Sequence, residues 1–175
     1  MSEKMGNPKI FPSWDSIRSF KQPLTKQELT FIEYLFQNLP PEWEIIVRPY
    51  LNGDYPSIGL LNPNVGLMIY DSFYWDEKRY FHRNSLAKGK DGKLHNIHKY
   101  TYQGEMIKEI ADPYYKMKSY RDNLINIYLP ALGEYVRDKE KSVVMIKLGL
   151  FFPYMTTKAA REMVQREKSC FAVGY

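Results

Sequence analysis

The sequence predicts a mixed α/β domain built on a central β-sheet, and three observations carry that reading. Residues 54 to 75 hold two apolar runs joined by Asn62-Pro63-Asn64-Val65-Gly66. Proline presets φ for a turn, and asparagine and glycine tolerate positive φ, so this is a β-hairpin signal. Ser142 to Phe152 is apolar on both faces, as a buried central strand requires. Two amphipathic segments with helix-start chemistry, at Thr25 and Asp112, lie before and after the hairpin. Strands interleaved with helices in this way build a sheet flanked by helices.

In chain order, Met1 to Leu24 contains proline, lysine and serine with short apolar pieces around Phe11 and Trp14, and reads as an arm lying on the domain, not as an element. Residues 25–175 form the domain itself. Thr25-Lys26-Gln27-Glu28 fits a capping box, and Leu29, Ile32, Leu35, Phe36 and Leu39 form the apolar stripe of the helix that follows. Pro40-Pro41 stops it. Trp43 to Tyr50 reads as a strand, and Leu51 to Asp54 as the loop into the hairpin.

After Trp75 the chain turns polar and basic, with Gly89, Asp91-Gly92 and alternation from Leu94 to Tyr102, which predicts one or two exposed strands around a turn. Asp112-Pro113 then starts a helix with Asp as N-cap and Pro at its first position. Its apolar side is Met117, Tyr120, Leu124, Ile127 and Tyr128. Pro130 kinks or ends it, with a further turn or two to about Val136. The Ser142 to Phe152 strand follows. Thr156 or Thr157 caps a last helix to about Arg166, and Cys170 to Val173 reads as a final strand.

At 175 residues the chain suits one domain with a real core, and 44% hydrophobic with 26% charged residues is ordinary globular composition. No apolar run approaches the roughly 20 residues of a membrane span, and the N-terminus lacks the apolar region of a signal peptide, so a cytoplasmic location without membrane association is expected. The lone cysteine, Cys170, excludes an internal disulfide framework and a Cys-rich zinc site. His95 and His98 have a spacing that sometimes binds metal, but they fall in the exposed strand region with no cysteine near.

The net charge is +5. From Asp76 to Arg121 there are 11 Lys/Arg against 6 Asp/Glu, so this region alone carries an excess equal to that of the whole chain. Clustered positive charge beside a cleft is what a polyanion binder needs.

The capped, Glu-bearing helix, then Leu39-Pro40-Pro41-Glu42-Trp43, then the run from Pro56 through Asn62-Pro63-Asn64 to Asp71 and Trp75 together resemble the nuclease-related domain (NERD) found at the N-terminus of UvrD/Rep-type helicases. Asp112-Pro113-Tyr114-Tyr115-Lys116 up to Tyr120 is similar to that family's Asn-Pro-x-x-Gln-x-x-x-Tyr helix. The resemblance covers roughly residues 25–175. It implies a PD-(D/E)XK (restriction-endonuclease-like) core, DNA as partner, and a helicase domain further along the natural chain. The abrupt end at Tyr175, just after a buried-looking strand, agrees with that last expectation.

In that fold two carboxylates on adjacent strands hold Mg²⁺ or Mn²⁺ and a lysine steadies the attacking water. The motif is damaged in this chain. The first acid position carries Ser57, the second carries Asp71, and the lysine position two residues on carries Phe73. A single carboxylate binds Mg²⁺ poorly, so no firmly bound cofactor is expected. Lys116, which stands where the family has Gln, shares a helix face with Tyr120 and offers a relocated lysine or a phosphate contact. Glu28 matches the family's helix acid, though the capping box explains it equally well. Asp54 is a further acid near the hairpin mouth.

Two functional classes follow from the resemblance, with a third beside them. In the first the domain is a pseudo-nuclease that holds DNA for an attached helicase in DNA processing, repair or defence, through Lys116, Lys118, Tyr120, Arg121 and the basic segment around them. In the second it is an active Mg²⁺- or Mn²⁺-dependent DNA endonuclease with a rearranged site of Asp71, Glu28 and Lys116, Asp71 being the metal ligand. The third is a protein-interaction domain. Loss of two signature groups favours the first.

Overall fold

The central hairpin closes as its turn residues dictate. In the computed structural model, which describes residues 6–51, 53–104, 107–128, 146–164 and 170–174, the Asn64 amide donates to Asn62 Oδ1 at 2.8 Å and Val65 N donates to Asn62 O at 3.1 Å. Gly66 then takes φ of 117°, which L side chains avoid.

In chain order the elements are β1 (Lys9–Phe11), α1 (Trp14–Arg18), α2 (Lys26–Asn38), β2 (Glu44–Val47), β3 (Ile58–Asn62), β4 (Gly66–Ser72), β5 (Tyr80–Lys88), β6 (Leu94–Gln103), β7 (Ile107–Ile110), α3 (Pro113–Asn123), β8 (Ile146–Phe152), α4 (Thr157–Val164) and β9 (Cys170–Gly174). A π-helical segment, Leu124–Tyr128, directly continues α3. Six strands form one sheet in the order β1-β2-β3-β4-β8-β9, and β5-β6-β7 form a second. The β2-β3-β4 run is antiparallel, whereas β4, β8 and β9 run parallel and β1 runs parallel to β2. The molecule is therefore a mixed α/β structure with a mixed sheet flanked by helices.

Alternation along each strand sends side chains to two cores. On one face Ile17 of α1 and Ile32 and Leu35 of α2 pack with Ile45, Val47, Ile58, Leu60 and Tyr70. On the other, Met117 and Tyr120 of α3 and Ala160 and Val164 of α4 pack with Ile69, Ile146, Leu148, Leu150 and Phe152. β8 feeds both, which is why nearly all of it is buried. Each buried aliphatic side chain contributes about 1.5–3 kcal/mol of transfer free energy, so these layers supply most of the drive to fold.

Several expectations change. The N-terminal segment supplies β1 and α1 instead of lying as an arm. A three-residue strand carries almost no pattern of its own and is placed by its partner β2. The strand read from Trp43 to Tyr50 is only Glu44–Val47, because Arg48 takes φ of 51° and Pro49 has no amide to donate. The basic segment forms three strands, not one or two. Ile127 is 53% exposed rather than on the apolar side, since the change from α to π winding at Leu124 breaks the stripe's register. The readings at Pro130 to Val136, at Ser142 to Met145 and for the helix end at Gln165 to Arg166 fall outside the described residues, whereas the final strand forms as Cys170–Gly174. Among the described residues no helix is long and apolar enough to cross a membrane.

Gly149 of β8 lies directly opposite Tyr70, and a Cβ there would clash with Cε1 at the edge of the tyrosine ring. Gly149→Ala should therefore lower stability by about 1–3 kcal/mol through overpacking. Urea unfolding should show a lower midpoint at unchanged slope, with partial recovery when Tyr70→Leu is added.

Candidate functional site

The site forms at the end of β4, where strand register brings Ser57 across from Asp71. Ile58 pairs with Tyr70, so the next residues out on the two strands face each other on the side covered by α3. Asp71 is only 4% exposed, and such a carboxylate must be matched by donors or a cation. Its Oδ1 accepts from Ser57 Oγ at 3.0 Å and from the Ser72 amide at 3.0 Å. Its Oδ2 meets Lys116 Nζ at 2.5 Å and accepts from Tyr120 OH at 3.4 Å.

The sequence places Lys116 and Tyr120 four residues apart on α3, one above the other. Asp112 fixes that helix's start by accepting from Tyr114 N at 2.9 Å. The Lys116 ammonium also lies 5.5 Å above the ring of Phe73 and 5.6 Å from that of Tyr120, within cation–π range. A lysine from the helix thus stands over the aromatic ring two residues past Asp71 on the chain.

Partial burial pulls the Lys116 ammonium down, yet the hydrogen bond and charge of Asp71, with Tyr120 behind them, outweigh it and hold the pKa above the ordinary lysine value. Burial first, and then the Asp71 charge, raise the Tyr120 phenol, so it remains a neutral donor.

The flanks of the site hold two more acids, each occupied. Glu28 is 3% exposed and its Oε2 accepts from Thr25 N at 2.8 Å and Thr25 Oγ1 at 3.0 Å, completing the capping box. The Tyr74 phenol is pushed well above its usual range, first by burial and then by a hydrogen bond to Glu28 and the Glu28 charge, with Asp71 adding to it and Arg48 opposing. Asp54 Oδ2 accepts from Asn123 Nδ2 at 2.7 Å.

The residues proposed for nucleic acid do not form one surface. Lys116 and Tyr120 converge on Asp71. Lys118 is exposed, but two positions along a helix is the opposite flank. The Arg121 side chain is 10% exposed, with Nε 3.6 Å from Asp122 Oδ1, so it faces inward and presents no guanidinium to solvent. Sequence reading missed Asn123, Tyr74 and Arg48. Asn123 follows Tyr120 by three residues and was accessible to the same helix-face argument. Nothing local marks the other two.

The donor set does not fit a Mg²⁺ or Mn²⁺ ion as arranged. Both Asp71 oxygens are taken up, one by an ammonium, and Ser57 brings a hydroxyl where a second carboxylate would be needed. Among the described residues no three His, Cys, Asp or Glu side chains are placed to hold a metal together. Comparisons with protein-family models, with curated proteins and with solved structures found no match.

Lys116→Met would leave a buried carboxylate without its cation and should cost about 1–3 kcal/mol, below the figure for a fully buried pair because water reaches the ammonium. Adding Asp71→Asn should recover part of that loss in a double-mutant cycle. A raised lysine pKa stabilises the fold below the unfolded value of 10.5 and loses that contribution as pH climbs through the folded value. Stability by urea unfolding should therefore fall on the alkaline side, and fall less steeply in Lys116→Met.

Proposed function

We propose that this domain is a nucleic-acid-binding relative of the PD-(D/E)XK nucleases, of the NERD type, in which an ion pair has taken over the place of the metal site and the sheet serves as a scaffold for holding DNA. The observation that carries the reading is the 2.5 Å contact between Lys116 Nζ and Asp71 Oδ2, with Ser57 in place of a second acid. A carboxylate neutralised by an ammonium needs no divalent ion to be stable in the fold. The order α2, β2-β3-β4, α3, β8 supports the fold assignment, since it puts the hairpin acid beneath α3. Attachment to a UvrD/Rep-type helicase belongs to the same reading and rests on the motif resemblance.

One observation favours the second reading, a Mg²⁺- or Mn²⁺-dependent endonuclease. The Lys116 ammonium over Phe73 supplies a cation where the family's strand lysine would be. The arrangement of Glu28 and Asp54, each bound to its own partner, weighs against it.

Labelled single- and double-stranded DNA incubated with the protein in Mg²⁺, Mn²⁺ or EDTA, beside Asp71→Ala, separates the readings. Retardation that salt weakens, EDTA leaves alone and cutting does not accompany is the expected result. Metal-dependent cutting that Asp71→Ala abolishes would replace it with the endonuclease. Neither effect would point to a protein partner.

A further inference from the structure

The β5–β6 ribbon is the largest feature the site does not use. Its base is tied to the domain through Trp75, which stacks on Tyr80 at 5.1 Å and 7° and tilts against Tyr100 and Phe152. His82 stacks on Tyr100 at 5.0 Å. Beyond that anchor no described residue from Phe81 to Lys99 is buried. The nine paired positions of the ribbon span about 30 Å; in the outer half the face of Leu86, Lys88 and Leu94 is exposed, and Ser85, Ala87 and Ile97 on the other face are partly covered. It turns at Gly89–Gly92, where Gly92 N donates to Gly89 O at 3.0 Å and Gly92 takes φ of 78°.

Charge concentrates on this arm. From Arg83 to Lys99 there are five Lys/Arg and one Asp, a net +4 out of the chain's +5. The one acid, Asp91, is committed to His95, at 3.0 Å, and to the Lys93 amide, at 3.1 Å; the His95 hydrogen bond holds its carboxyl below the usual range. Arg83 faces Lys99 directly across the ladder, a like-charge pairing that costs the sheet stability. Lys99 reaches Glu109 at 3.7 Å, whereas Arg83 has no partner among the described residues. Leu86 and Leu94, 64% and 66% exposed, share one face near the tip.

We propose that this ribbon enters the major groove of double-stranded DNA, which names the partner for the nucleic-acid reading above and rests on it. A two-stranded ribbon fits a B-form major groove about 12 Å wide. Seated there, Arg83 and Lys99 at its base and Lys88, Lys90 and Lys93 at its tip meet the phosphates that flank the groove, and Leu86 and Leu94 are suited to thymine methyl groups. The deep, narrow major groove of duplex RNA does not admit such an arm. Single strands need open aromatic faces to stack on, and here Tyr80 and Tyr100 are packed against Trp75, which leaves Phe81 as the one exposed Phe or Tyr among the described residues of β5 and β6.

The test uses the whole chain and four probes in an anisotropy titration: a DNA duplex, the same sequence as duplex RNA, one DNA strand, and the duplex methylated at guanine N7, a major-groove atom. Lys88→Ala/Lys90→Ala/Lys93→Ala, whose side chains are all exposed, is compared with the exposed Lys158→Ala on α4, circular dichroism confirming that both fold. The expected result is preference for the DNA duplex by tenfold or more, loss of binding on N7 methylation, and in the triple variant a log–log salt slope lower by about 2–3, at roughly 0.9 per phosphate contact. Wild-type binding that the triple variant or N7 methylation leaves unchanged, or that is equal for single strands or duplex RNA, overturns the ribbon's role and leaves the nucleic-acid reading standing. Failure of the wild type to bind any probe overturns both.

Discussion

A carboxylate buried at the end of a central strand sets the terms for everything around it. Asp71 is held on the α3 side of the sheet by the pleat of β4, beneath a helix that also sends the apolar Met117 into the same core. Ionised there without partners it would cost several kcal/mol. Four donors answer it: a hydroxyl from the facing strand, its neighbour's amide, an ammonium and a phenol from the helix. The hairpin register, the start of α3 at Asp112 and the four-residue spacing of Lys116 and Tyr120 are all required for those groups to meet.

That same matching is what separates the site from a metal centre. A divalent ion wants several free oxygens at short range, and here both oxygens of Asp71, one of Glu28 and one of Asp54 are bound to protein donors. The cation in the site is a lysine, contributed from the helix instead of the strand and resting on the Phe73 ring. Lysine and metal compete for the same carboxylate, and covalent attachment to the chain gives the lysine a standing advantage in local concentration.

The second sheet solves a different problem. A three-stranded sheet with few buried residues cannot hold itself together by burial, so it is docked through one aromatic cluster about Trp75, four residues past Asp71. The cluster ties down the ribbon's base, and the arm from Arg83 to Lys99 beyond it carries a net +4 of the chain's +5. Site and ribbon thus leave the same strand end in succession, which places the charged arm beside the scaffold that carries it.

Much of this was legible before any coordinates. The capping box at Thr25, the Asn-Pro-Asn turn, the Asp112-Pro113 helix start and the two-faced strand ending at Phe152 are local signals, each written in residues within a few positions of one another, and each element formed there. Asp71 was named from its place at the far end of a strand and, with Lys116 and Tyr120, from the motif resemblance. What the chain alone did not disclose depends on distant partners: β1 exists because β2 offers it an edge, β2 stops where Arg48 turns, and Arg121 faces inward because of how α3 sits on the sheet. Local patterning decides which element forms and which face it shows, because caps, turns and alternation act over a few residues. Whether Lys116 closes on Asp71, with Ser57 and Tyr120 completing the shell, was decided only by the packing of α3 across β4, since no short-range rule sets the distance between residues 45 positions apart.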